Sequence, residues 1–297
     1  TYYLPESLMP AKEERRTAEQ EIEKEGGDTP YPGWDAVRAV SNEEDPEVVL
    51  TSRTRHGEVV RKLSGPAKAG FHRVAWDLQI PVSDAWSAGQ QDFGGRFPSP
   101  MVAPGTYSVS LATRKNGVLT DTGLTEAINV KLLRQNKLAT ASPAEVFAFG
   151  KRLDSLNRGF EAADAAADAA LAELAAIKAT LPRSGASEDI RVSVNTIEAE
   201  LRDLLVRMNG DSTRSFMGAP GPISISGRAG VAAIGTALST YGPTPMHESN
   251  LQMAERDFEQ VRVIINRIVT EEMPTLRTRL DEAGVPWTPG RGAVSGD

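Results

Sequence analysis

The 297-residue chain contains no cysteine, which excludes disulfides, thiolate nucleophiles and cysteine metal sites together. Histidine is almost as scarce. The three present, His56, His72 and His247, stand far apart, and none belongs to H-E-x-x-H or another ligand spacing. The sequence holds no apolar run long enough to predict a bilayer-spanning helix. It also lacks a Walker A loop, a G-x-G-x-x-G turn after a strand and a G-x-S-x-G elbow. No catalytic machinery, cofactor site or metal site is therefore expected.

Charge is present but uneven. Residues 1–50 carry 13 acids and 5 bases, a net of −8, so the remainder of a chain of formal charge −7 sums to about +1. That balance argues against a general nucleic-acid surface. The chain opens on Thr1 with neither an initiator methionine nor a signal peptide, and "TYYLPESL" has the character of a strand end. A piece of a longer protein is expected, rather than a processed chain.

The period of the sequence divides the chain. Residues 1–45 form an acidic arm and linker. "PAKEERRTAEQEIEKE" (10–25) predicts a solvated helix, because Ala11, Ala18 and Ile22 are too few for a core face. "GGDTPYPGWDAV" (26–37) ends it, and Tyr31 and Trp34 are expected to pin this linker to a neighbour. From 46 to 133 short period-two segments, 47–54, 58–65, 70–79, 105–114 and 126–133, alternate with turns such as "RHGE" and "RKNG". This spacing predicts an immunoglobulin-like antiparallel β-sandwich. In the segment 70–79, Val74, Trp76 and Leu78 would face inward with His72 at the entrance, and Arg73 and Asp77 outward. The 79–100 insertion carries Trp86, Phe93 and Phe97 among glycines and polar residues. These three, with Tyr31 and Trp34, are the candidate partner contacts.

From Ser142 the period becomes helical. Val146, Phe149, Leu153, Leu156, Phe160, Ala163, Ala167, Ala170, Leu174, Ile177 and Leu181 recur in threes and fours, opened by the cap Ser142-Pro143-Ala144-Glu145. Ile190–Met208 and Leu251–Ile268 repeat the pattern, the latter continuing loosely to Leu276 and Leu280. A shorter apolar helix is expected near 228–241. The fold class is thus β then α, a sandwich followed by a long-helix, coiled-coil-like bundle over 141–285 and a tail over 286–297. Asp164 and Asp168 sit four apart, but no Glu-x-x-His accompanies them, so a solvated face is the reading. "SGRAGVAAIG" is helix-start chemistry, and Glu43, Glu44 and Asp45 belong to the acidic linker.

Several stretches share the order of a known family. Thr1–Leu4, Lys12–Arg16, Tyr31–Asp35, Gly57–Leu78, Val102–Val109 and Ala283–Arg291 cover most of the chain. "GEVVRKLSGPAKAGFHRVAWDLQIP" with "VAPGTYSV" resembles the immunoglobulin-like module of flagellar hook-capping proteins. Together with "TYYL", "KEERR", "PYPGWD" and "AGVPWTPGR", the pattern resembles more closely the C-terminal part of bacterial sortilin-like proteins. Those carry BNR-repeat β-propellers and are often labelled glycosyl-hydrolase-like. The propeller has no counterpart here, so no propeller activity follows. The resemblance implies an extracytoplasmic, periplasmic or secreted, interaction module or structural subunit of a larger assembly, such as a β-propeller or a membrane-associated complex. An accessory fragment of a propeller-type hydrolase and a carbohydrate-binding module stacking sugars on Trp86 and Phe93 are the alternatives.

Overall fold

The computed structural model describes residues 1–81, 99–133, 140–239 and 241–292. They fall into two compact units, a mixed one built from residues 1–81 and 101–133 and a helical one built from residues 99–100 and from residue 140 onwards. About 53% of the described residues are helical.

The first unit runs β1 (Tyr2–Leu4), α1 (Ala11–Lys24), α2 (Trp34–Ser41), β2 (Glu47–Thr54), β3 (Val59–Gly65), β4 (Gly70–His72), β5 (Gly105–Lys115) and β6 (Val118–Val130). The immunoglobulin-like sandwich expected for 46–133 is overturned. Among the described residues the strands form one four-stranded antiparallel sheet in the order β3-β2-β5-β6, and a separate two-stranded ribbon of β1 with β4. Tyr2 and Leu4 of the ribbon bury with Val48 and Leu111 of the sheet, and Leu8, Leu50 and Val74 pack against them. Gly65 permits the closest approach, because a Cβ there would collide with the Tyr2 hydroxyl. That hydroxyl donates to the Pro66 carbonyl at 2.6 Å.

The predicted strand 70–79 ends at His72. Beyond it the Gln79 N–H donates to Asp77 Oδ1 at 2.9 Å, the Trp76 indole donates to the Gln79 carbonyl at 3.1 Å, and Leu78 takes φ +62°. Local side-chain bonding of this kind competes with ladder pairing. Period-two hydrophobicity alone did not reveal it. Conversely, β6 starts at Val118, well before the predicted 126. Asn116 and Gly117 form its turn with φ +52° and +74°, the left-handed pair that a tight hairpin requires. A bulge around Thr122–Leu124 interrupts its register and hides the period.

The second unit runs α3 (Pro143–Thr180), α4 (Glu188–Asn209), α5 (Ser212–Phe216), α6 (Ile225–Ala237), α7 (Pro245–Arg267) and α8 (Met273–Glu282). Ser142 caps α3, its hydroxyl accepting from the Glu145 N–H while the Glu145 carboxylate accepts from the Ser142 N–H at 2.7 Å. Every α4 seam residue from Ile190 to Met208 and every α7 seam residue from Leu251 to Ile268 is buried in one core. The α3 seam is buried at Phe149, Leu156, Ala163, Ala167, Ala170, Leu174 and Ile177, but Val146 stays exposed at its first turn. Leu276 and Leu280 follow only loosely in sequence because a π-helical turn, Ile268–Glu272, adds one residue. Pro274 follows at once, and a proline has no N–H for the regular ladder. The seam resumes at Met273, Leu276 and Leu280.

The tail is folded. Val285, Thr288 and Arg291 are buried, and Arg291 donates to the carbonyls of Val285 and Pro286 at 3.1 and 3.0 Å while pairing with Asp281. "AGVPWTPGR" is therefore a staple at the end of α8, with Trp287 donating to the Arg291 carbonyl at 3.1 Å.

Candidate interaction surface

The linker between α1 and α2 supplies the clearest surface feature. Neither helix buries a residue, and for α1 the sparse apolar content of 10–25 predicted this. Both are nonetheless held. The Ala11 N–H at the start of α1 donates to Glu43 Oε1 at 2.7 Å, and Glu14 pairs with Lys115 at the end of β5. A carboxylate at a helix N-terminus satisfies orphan N–H groups and complements the helix dipole. The acidic linker thus has a local task, and its Glu43 lines a depression of about 480 Å³ with Ala11, Val40 and Asn116.

Gly33, at φ +85°, turns the chain so that Trp34 starts α2. Tyr31 comes to lie edge-on against Trp34, with ring centroids 5.8 Å apart. Tyr31 is 64% and Trp34 70% exposed. Both rings are exposed as a pair and are not buried against the rest of the first unit. The other candidate contacts, Trp86, Phe93 and Phe97, lie outside the described residues.

The remaining polar candidates have separate structural partners. His56 accepts from the Arg55 guanidinium at 3.2 Å in the β2–β3 turn. A ring nitrogen of His72 lies 2.6 Å from the Lys68 carbonyl, and its ring lies tilted at 38° to that of Tyr2, with centroids 5.3 Å apart. His247 is buried, and its Nδ1 accepts from the Thr244 N–H at 3.2 Å to cap α7. Asp164 accepts from the Asn209 amide at 2.7 Å, and Asp168 is exposed. The "SGRAGVAAIG" start is capped by the Ser224 hydroxyl, which accepts from the Gly227 N–H at 3.1 Å. Among the described residues no group of three or more His, Asp or Glu could hold a metal ion. No helix among them is long and apolar enough to cross a membrane.

Two surfaces escaped the sequence reading. β6 is an edge strand that exposes Val118, Leu124 and Ile128, and its bulge and the carboxylates of Asp121 and Glu126 blunt it against further pairing. In the helical unit, Phe216, Met217, Ile223, Val231, Ile234, Leu238 and Met246 are all exposed. The signal for the second surface was present. Residues 215–246 contain Arg228 as their sole charged residue, and the glycines and prolines of 218–222 drew attention to the loop instead.

Comparison with known protein families, with curated proteins and with solved structures finds no match for this chain.

Proposed function

We propose that this chain is a non-catalytic interaction module, a structural subunit of a larger extracytoplasmic assembly, and that Tyr31 and Trp34 are its principal contact. The exposed Tyr31–Trp34 pair carries the reading. Two large rings set edge-on to each other at the start of α2 present apolar area at little further entropic cost on binding. Tyrosine and tryptophan are enriched among the residues that dominate binding energy because each joins a broad apolar body to one polar donor. The acid of α1 and its linker surrounds this pair in sequence, which favours a partner face with basic residues at its rim. The resemblance of Tyr31–Asp35 and Ala283–Arg291 to sortilin-like C-terminal regions supports the extracytoplasmic setting.

The test is co-purification from the native cells. Tyr31→Ala with Trp34→Ala is expected to release the chain from its assembly while circular dichroism stays unchanged, since neither side chain is part of a core. Undiminished retention of the double variant would contradict the proposal. So would a hydrolytic activity of the isolated chain that this variant leaves intact.

A further inference from the structure

Two asparagine–glycine pairs occur in the chain, Asn116–Gly117 and Asn209–Gly210, and the fold treats them in opposite ways. Such a pair can react with itself. The glycine nitrogen, once it gives its proton to solvent, is a nucleophile able to close a five-membered ring on the asparagine side-chain carbon. Glycine has no Cβ to hinder that approach.

Asn209 is the last residue of α4, and both of its reacting groups are engaged. Its amide donates to Asp164 Oδ1 at 2.7 Å, and the Gly210 N–H donates to the Val206 carbonyl at 2.8 Å. Attack there would first have to break both bonds and unwind the end of the helix. Asn116 and Gly117 are instead the whole of the turn between β5 and β6, closed by the Lys115–Val118 pair. Both are exposed. Neither the Asn116 amide nor the Gly117 N–H has a hydrogen-bond partner among the described residues. Solvent reaches nucleophile and electrophile together, and only the turn itself has to move.

We propose that Asn116 is a site of spontaneous deamidation, and that the product weakens the hold of the first unit on α1. The reaction needs water and no enzyme. The Gly117 nitrogen bonds to Asn116 Cγ, the Cγ–Nδ2 bond breaks and ammonia leaves, giving a cyclic imide. Water then opens the imide at either carbonyl, leaving an aspartyl or an isoaspartyl residue. An amide and a water thus become a carboxylic acid and an ammonia.

The place of the turn gives the new charge its consequence. Asn116 and Gly117 line the same depression as Ala11, Glu43 and Glu44. Glu43 accepts from the Ala11 N–H at 2.7 Å and from the Lys12 N–H at 3.4 Å, and Lys115, next to the turn, pairs with Glu14 of α1. A further carboxylate in that depression opposes the two already there. The isoaspartyl form also adds a carbon to the main chain of a two-residue turn, which tight hairpin geometry does not accommodate. α1 buries no residue, so its attachment leans on these polar contacts. The inference is independent of the Tyr31–Trp34 reading.

The folded whole chain, aged in mildly alkaline heavy-oxygen water and then mapped by peptide mass spectrometry, reads the outcome. Oxygen taken from that water marks imide opened before digestion. The peptide holding Asn116 should convert at least about tenfold faster than the one holding Asn209, because two hydrogen bonds resist at the second site. It should give two labelled products of equal mass. In concentrated urea the two sites should convert at similar rates. Asn116→Gly, which keeps a turn tolerant of left-handed φ, should give no product there. Hydrogen exchange at the α1 amides should run roughly two- to fivefold faster in the aged wild type than in the fresh protein, as for a weakened charge contact at a helix N-terminus. Ageing should leave it unchanged in Asn116→Gly. Equal rates at the two sites of the folded chain, no conversion of Asn116 while the urea-unfolded chain converts, or a single product at that site overturns the assignment. Conversion that leaves α1 exchange unaltered overturns the link to α1.

Discussion

The ion pair between Glu173 and Arg277 makes an asymmetric prediction. Two of the Arg277 guanidinium nitrogens, Nε and Nη2, donate to the Glu173 carboxylate at 2.7 Å, joining α3 to α8. The two partners are buried unequally. The Glu173 side chain is 6% exposed, whereas that of Arg277 is 33% exposed. Gly290 closes over the carboxylate, since a Cβ there would stand 2.7 Å from Glu173 Cδ. Removing the arginine leaves a charged carboxylate buried without a partner, a change that costs about 3–5 kcal/mol. Removing the glutamate leaves a guanidinium that can turn to water, so the loss is nearer ~1–2 kcal/mol, the range for a surface-accessible charged hydrogen bond. Arg277→Ala should therefore lower the melting temperature by roughly 10 °C, at about 2–4 °C per kcal/mol, and Glu173→Ala by less than half as much. The double variant should fall close to the Glu173→Ala value. Thermal unfolding followed by circular dichroism at 222 nm, and urea titration of the same three proteins, measure it. Equal losses from the two single variants, or a larger loss from Glu173→Ala, would refute the assignment of the glutamate as the buried member.

Other positions give sharp contrasts. Leu156→Ala should cost about 2–5 kcal/mol, as for a buried leucine in a packed core, whereas Asp164→Ala, which loses one exposed bond to Asn209, should change the urea midpoint little. Trp76 lies edge-on to Tyr107 at 5.7 Å, so Trp76→Ala should loosen the first unit by about 2–3 kcal/mol, read by near-ultraviolet circular dichroism. His72→Ala should leave that spectrum almost unchanged. Hydrogen bonds from the Ser142 backbone and side chain hold the Glu145 carboxyl below the usual carboxylate range. A depressed folded pKa makes its contribution complete above the unfolded value and lost as pH falls through the folded one. The stability advantage of the wild type over Glu145→Gln should thus be full at neutral pH and vanish on acidification through the carboxylate range, as a pH series of melting curves would show.

The helical half was legible because a single rule governs it. Apolar residues in threes and fours bury one stripe, and the α4 and α7 seams are buried at every position named from the sequence. The π turn at 268–272 was not legible, since one added residue shifts the seam without disturbing composition. The β half was less legible. A strand signal such as 70–79 is overridden where Asp77 bonds the backbone of Gln79, and one such as 118–125 is masked by a bulge at Thr122–Leu124. Without those segments as predicted, a sheet with a ribbon forms in place of a sandwich. Among the candidate contacts, Tyr31 and Trp34 were found from proline, glycine and aromatic content, but their pairing depends on the φ of Gly33. The exposed side of α6 was hidden by its own strength, because an apolar helix reads as a core helix until one side is seen to lack a neighbour.

The central claim is that the Tyr31–Trp34 pair touches another macromolecule of the assembly. A photo-crosslinking phenylalanine analogue placed at position 34 in the native cells tests it most directly, with the same analogue at exposed Arg55 as control. Irradiation should convert the chain carrying the analogue at 34 into one discrete, heavier adduct, with little or none from 55. No adduct from 34, or an equal smear from both sites, would contradict the account.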